Sequence, residues 1–229
     1  MVNKIVYTSD MHGNEAQFRA FVNYVLKVKP ASAIIGGELP PKDSGSVRED
    51  YIEMQRRFLT ERLPEITRLI KQKLPETQIY VAPGNDDCKV NDDVLNMHPD
   101  LFINIDGKRI QLPKGLEIVG YSVVPITPFG LKDREKYDLT NVPKEVAVEY
   151  AKRQRGYNLQ GSLTVKEENN RKWQSIQFTD ADRKDSIQKD LEDNLFTANP
   201  KRTIYVIHTP LNRTPLDVII NGDHVGSFA

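Results

Sequence analysis

The first third of the chain alternates between two hydrophobic periods, and this alternation most constrains what it can fold into. Lys4-Ile5-Val6-Tyr7-Thr8 is a β-branched and aromatic run cut off by the polar Ser9-Asp10-Met11-His12-Gly13, the pattern of a buried strand that ends in a functional loop. Asn14 is placed to cap a helix. Phe18, Phe21, Val22 and Val25 then fall at i, i+3, i+4 and i+7, on one face of a helix that ends with Lys27 and Lys29 before Pro30. Ala33-Ile34-Ile35 predicts a second strand that enters Gly36-Gly37-Glu38. Ser46 and Glu49 have the spacing of a capping box. They precede a long apolar stripe of Tyr51, Met54, Phe58, Leu63, Ile66, Ile70 and Leu74, which Pro64 must kink or divide and Pro75 must end. Ile79-Tyr80-Val81 predicts a third strand that enters Pro83-Gly84-Asn85-Asp86-Asp87. Strands alternating with helices require right-handed crossovers, and so predict a largely parallel sheet.

Later segments read differently. Arg109 to Leu112 and Leu116 to Ser122 predict an antiparallel hairpin, which implies a second sheet and a mixed α/β architecture. From about 126 to 185 the residues are charged and polar with weak periodicity, apart from Val146-Ala147-Val148 and Phe178. This stretch is expected to be an insertion in a single domain spanning 1–229. Ser186 to Phe196 predicts a helix, and Thr203 to Ile207 a further buried strand that stops at His208-Thr209-Pro210.

Composition narrows the function classes. Lys+Arg 32 balance Asp+Glu 32, so the chain lacks the basic excess of a protein built around duplex nucleic acid or an anionic membrane. No apolar run approaches the roughly 18 residues that span a bilayer, and Met1 to Tyr7 reads as a strand rather than a signal peptide, so a cytoplasmic location is expected. Cys88 is the single cysteine, which excludes internal disulfides, multi-thiolate zinc sites and iron–sulfur clusters. Any metal must be held by oxygen and nitrogen.

The residues that offer oxygen and nitrogen collect where strands end: Asp10 and His12, then Glu38, then Asn85, Asp86 and Asp87, and late in the chain His208. Open α/β sheets bind ligands beyond the carboxyl ends of their strands, so loops remote in sequence are expected at one rim. Carboxylate, amide oxygen and imidazole without thiolate suit Mn, Fe or Zn in a hydrolytic centre. Taken singly, each of these residues reads equally well as a turn, a cap or a core histidine.

In order and spacing, Ser9-Asp10-Met11-His12-Gly13, Gly37-Glu38, Gly84-Asn85-Asp86 and Val206-Ile207-His208-Thr209 resemble the calcineurin-like metallophosphoesterases. The resemblance covers Lys4 to about Asn85 and returns near Arg202. It implies two mixed β-sheets packed as a sandwich flanked by helices, a four-layer arrangement. It also implies two divalent metal ions per site (Mn, Fe or Zn). Asp10 and His12 would ligate the first metal, Glu38 would bridge both, and Asn85 and His208 would ligate the second. Two such ions roughly 3.5 to 4 Å apart clamp a phosphoryl group for in-line attack. The expected partner is a small phosphate-ester substrate, a monoester or a diester.

The chain departs from the family pattern in two places. Gly37-Glu38 stands where the family has Gly-Asp, and the additional methylene lengthens the reach by roughly 1.5 Å. The closing Gly-His-x-His motif is absent, and Asn221-Gly222-Asp223-His224 does not replace it. The pattern therefore predicts a longer phosphoesterase truncated before its terminal strands, and an uncovered sheet edge or apolar face that self-association would cover. The alternative is a catalytically impaired relative that keeps the fold as a binding or scaffold protein.

Further residues carry two readings each. In many relatives a histidine follows the motif asparagine and acts as general acid. Here Asp86 occupies that place, with a catalytic or second-layer role set against simple capping. Lys132, Arg134 and Lys136 are expected on a solvated charged face, the alternative being contact with a substrate phosphate. Trp173 is expected in core packing of the insertion, with a cap over the site as the alternative. Cys88 reads as a passive small residue.

Overall fold

A computed structural model describes residues 4–42, 48–168, 170–195, 199–220 and 222–229. In chain order the elements are β1 (Ile5–Thr8), α1 (Glu15–Val28), β2 (Ser32–Gly36), α2 (Arg48–Arg57), a π turn (Phe58–Arg62), α3 (Leu63–Lys73), β3 (Gln78–Ala82), a 3-10 segment (Lys89–Asn96) and β4 (Ile103–Asn104). Next come β5 (Arg109–Leu112), β6 (Leu116–Tyr121), β7 (Val124–Pro125), β8 (Glu135–Lys136), α4 (Ala147–Gln154), β9 (Gln160–Glu167), β10 (Asn170–Gln177), α5 (Ile187–Asp190) and β11 (Thr203–Ile207). The molecule is a mixed α/β protein with several sheets. It divides into two compact units, residues 1–106 with 164–173, and residues 107–163 with 174–229.

In the first unit β1, β2, β3 and β4 pair in that order, all parallel. The resemblance implies a mixed first sheet; among the described residues this one is purely parallel. The pleat sends Val6, Ala33, Ile35, Ile79 and Val81 to one face, where they join Phe18, Phe21, Val22 and Val25 of α1 and Leu63, Ile66 and Ile70 of α3 in one core. Ile35, Leu63 and Ile70 expose no surface, and burial of such side chains contributes about 1.5–3 kcal/mol each. Helix α1 starts where Asn14 Oδ1 accepts the Ala16 and Gln17 N–H groups at 3.0 and 3.1 Å. It stops at Lys29, which is left-handed with φ 49°. The stripe after Tyr51 is divided as Pro64 requires: Leu63 N–H reaches back to Phe58 O through the π turn, and Pro64 sits in the first turn of α3. Ser46, the first residue of the expected capping box, lies outside the described residues. The short strand β4 has no periodicity to announce it.

The second unit holds a three-stranded sheet in the order β11-β6-β5, with β5 antiparallel and β11 parallel to β6. The predicted hairpin and the late strand are both present. Val119, Tyr121, Ile187 and Leu191 form one cluster, and Ile126, Tyr137 and Phe178 another. The helix expected over 186–196 is a four-residue α5 followed by a π turn at Leu191–Leu195, with Phe196 outside the described residues.

Of the stretch at about 126–185, residues 164–173 belong to the first unit and the remainder to the second, and it contains α4 and the paired strands β9 and β10. The solvated face expected of Lys132, Arg134 and Lys136 is corrected, since Lys132 and Arg134 are buried. Lys132 Nζ donates to Thr127 O at 2.9 Å and to Glu135 Oε2 at 2.7 Å, while Lys136 pairs with Asp185 and Asp190. Burial pushes the Glu135 carboxyl above its ordinary range, against the opposing pull of Lys132 and Thr127. Of Asn221-Gly222-Asp223-His224, Asn221 lies outside the described residues, and His224 Nδ1 bonds Asp217 Oδ1 at 2.7 Å, while Asp217 Oδ2 accepts from the Arg213 and Gly226 N–H groups.

Candidate metal centre

The parallel register brings the carboxyl ends of β1, β2 and β3 level, with Thr8 opposite Ile35 and Gly36 opposite Ala82. The three polar loops therefore leave the sheet on one rim. The first two are zipped together by backbone bonds from Asp10 N–H to Gly37 O at 3.1 Å, His12 N–H to Glu38 O at 2.7 Å and Gly13 N–H to Leu39 O at 3.0 Å. Asp10, His12 and Glu38 all adopt left-handed backbone, with φ of 56°, 43° and 53°. Non-glycine residues in that region cost about 1–3 kcal/mol each and persist only where their surroundings dictate it, characteristically at functional sites.

Glycine is required at one contact with Glu38. A Cβ added at Gly84 would stand 2.6 Å from the carboxyl carbon, Oε1 and backbone nitrogen of Glu38, so only a bare backbone allows the third loop to approach the second. Asp87 fastens that approach from beneath. Its buried Oδ2 accepts from Leu39 N–H at 3.1 Å and Gly84 N–H at 2.9 Å.

On this frame His12, Glu38 and Asp86 each present one ligand atom, all within 4.8 Å of one another. Glu38 Oε1 accepts from Asp86 N–H at 3.2 Å, and Asn85 Nδ2 donates to Asp86 Oδ1 at 3.1 Å. Glu38 is buried, and Nδ1 of His12 is buried without a hydrogen-bond partner. Two carboxylates and an imidazole brought this close together fit a divalent cation. Asp10 is exposed at the start of the same loop. His208 follows β11 in the second unit, where its N–H donates to Tyr121 O at 2.9 Å.

Sequence reasoning sets a catalytic or second-layer role of Asp86 against simple capping, whereas its carboxylate converges with His12 and Glu38 as a candidate ligand. It misses the supports altogether. Lys42 forms an ion pair with Asp86. Asp86 O accepts from Tyr51 Oη at 3.0 Å and from Gln55 Nε2 at 2.8 Å, and Gln55 Oε1 takes the Cys88 N–H at 2.8 Å. Burial, reinforced by Cys88, Asp86, Asp87 and Glu38, pushes the Tyr51 phenol well above its ordinary range, so it stays protonated and donates. In the sequence Tyr51 is only one member of an amphipathic stripe, and nothing in a 3.6-residue period marks which members turn a polar tip toward a loop. Cys88 is buried, as its passive reading requires.

No protein-family model and no curated protein matches the chain. Solved structures do resemble it. One is 13% identical, with a TM-score of 0.52 over 100% of this chain and 77% of that chain. TT1561 of Thermus thermophilus is 16% identical over 68% of this chain and 63% of its own, with a TM-score of 0.39. The first likeness shows a shared mixed α/β fold. No helix among the described residues is long and apolar enough to cross a membrane.

Proposed function

We propose that this chain is a metal-dependent phosphoesterase of the calcineurin-like type, with the four-layer sandwich of that family, acting on a phosphate monoester or diester. The observation that carries the reading is the convergence of His12, Glu38 and Asp86 on loops whose Asp10, His12 and Glu38 are held in left-handed backbone. Divalent ions, when bound, supply Lewis-acid stabilisation of the phosphoryl group and acidify water. His12, Glu38 and Asp86 would hold such ions, and Asp10 and Asn85 would complete the ligand set. The backbone bonds from Asp10, His12 and Gly13 fix the ligands before any ion arrives, so little reorganisation accompanies binding. Lys42, opposite Asp86, places a positive charge where an anionic ester enters.

A second reading has its own observation. The Lys42–Asp86 ion pair already supplies the cluster with a cation, as a non-catalytic scaffold would need. Glu38→Asp separates the two. An enzyme with a shortened bridge shifts its Mn²⁺ dependence of p-nitrophenyl phosphate hydrolysis, whereas a scaffold hydrolyses nothing and binds Mn²⁺ no more tightly than surface carboxylates do. The latter outcome in both proteins would overturn the phosphoesterase reading.

A further inference from the structure

The four-stranded sheet of the first unit has two edges, and they are defended differently. At one, β4 is only two residues long, too short to template another strand. At the other, β1 has β2 as its one neighbour among the described residues, and Ile5–Thr8 carries neither charge nor proline to deter pairing. Successive residues of a strand turn their main-chain groups to opposite sides. Lys4 O accepts from Ala31 N–H at 3.0 Å and Asp10 N–H donates to Gly37 O at 3.1 Å, so the even-numbered residues face β2. The N–H and C=O groups of Ile5 and Tyr7 therefore line the open edge, where neither residue has a main-chain partner among the described residues. The side chains alongside are apolar and uncovered. Ile5 is 39% exposed, and Tyr7 and Tyr24 are each 55% exposed. A groove of about 770 Å³ follows this edge between β1 and α1, lined by Ile5, Tyr7, Gln17, Phe21, Tyr24 and Val28.

A row of main-chain donors and acceptors calls for another extended backbone. The side chains say which one. A twofold axis through Val6, perpendicular to the sheet, sets Ile5 opposite a second copy's Tyr7 and Tyr7 opposite the second copy's Ile5, and each such pair exchanges both of its main-chain bonds. That register matches a β-branched side chain with an aromatic one on either side of the axis, a favourable cross-strand combination. It also sets Lys4 opposite a threonine, Thr8, rather than another lysine. We propose that the open edge of β1 is a homodimer interface, at which the β1 strands of two copies pair antiparallel about Val6 and join their sheets into one. The pairing needs no metal.

Sedimentation velocity of the metal-stripped chain, from micromolar to millimolar concentration, should show the mass rising from 26.2 kDa toward twice that value. Ile5→Pro deletes an N–H that bonds no main chain within the molecule, at an edge position where proline is tolerated. Losing one bond on each side of the axis should weaken the dimer about tenfold or more, with the far-UV circular dichroism unchanged. Ile5→Lys keeps the N–H and places a charge on the edge, and should weaken the dimer even if the proline disturbs β1. Register is read by crosslinking. In a Cys88→Ala background, Val6→Cys should join two copies on mild oxidation, because opposed residues at a non-hydrogen-bonded position lie about 4.5 Å apart between Cα atoms, within disulfide reach. A chain that stays monomeric throughout, or a dimer that survives both Ile5 variants undiminished, would overturn the proposal. A dimer that fails to crosslink through Val6→Cys would overturn the antiparallel pairing about Val6.

Discussion

The three loops of the first unit and the segment around Lys132 in the second are both rich in charge, and they use it in opposite ways. In the loops, His12, Glu38 and Asp86 converge with a buried imidazole nitrogen left unsatisfied, and the backbone is strained to keep them there. Around Lys132 the charges are also buried, yet the lysine is matched by Glu135 and by Thr127 O. Asp138 in the same unit is matched by Phe228 N–H at 2.6 Å. A converged and incompletely matched set is poised for a ligand, whereas an internally matched set specifies structure. The difference lies in pairing, which composition does not record.

Four changes sharpen or break this contrast. The largest effect is expected of His12→Ala. Removing a direct ligand should lower Mn²⁺ affinity by more than the roughly 10–100-fold that loss of a supporting partner costs, with little change in thermal stability. Calorimetric titration of the metal-stripped variant checks it, and unaltered affinity would return His12 to a turn residue. Lys132→Met should do the reverse. It leaves Glu135 buried without its cation, at about 3–5 kcal/mol of stability less whatever protonation of Glu135 recovers, and should spare Mn²⁺ binding. Urea denaturation measures the first and calorimetry the second.

Gly84→Ala tests the close approach in the first unit. Its Cβ would press on Glu38, so a loss of about 1–3 kcal/mol is expected together with weaker metal binding, because the strained site cannot yield without moving a ligand. The smallest effect concerns acid. Burial alone would raise the Asp217 carboxyl, but His224 and the Gly226, Arg213 and Thr214 N–H groups together hold it below its ordinary range. A depressed carboxyl contributes stability above its unfolded pKa of about 3.9, and that contribution is lost as the pH falls through the folded value. The protection of the Gly226 and Thr214 amides relative to their intrinsic exchange rates should therefore fall below about pH 4 and be low at neutral pH in Asp217→Asn. Protection that does not change with pH in the native chain would contradict this.

The first unit is legible in the sequence because two physical signals coincide there. The apolar period names Phe18, Phe21, Val22 and Val25 as buried, and all four are. Polar loops at the carboxyl ends of parallel strands name Asp10, His12, Glu38 and Asn85 as neighbours. The second unit gives weaker signals. In β9 the buried positions are the polar Ser162 and Thr164, and β10 has no buried residue, so neither strand carries an apolar pattern to detect. Lys132 and Arg134 are buried against the usual preference of charged residues, and the partners of Lys132, Thr127 O and Glu135, are local but lie in a segment with no regular period to mark their convergence. The roles of Lys42 and Tyr51 arise from contacts 35 or more residues distant in the chain, as with Tyr51 and Asp86.

The claim that the first unit's loops form a metal-dependent phosphoesterase centre is tested most directly by hydrolysis of bis(p-nitrophenyl) phosphate by metal-stripped protein titrated with Mn²⁺, beside Glu38→Gln. Turnover should rise and saturate with Mn²⁺ and disappear in the variant, whose side chain retains its size and loses its charge. Turnover that is independent of Mn²⁺, or that survives Glu38→Gln undiminished, would contradict it.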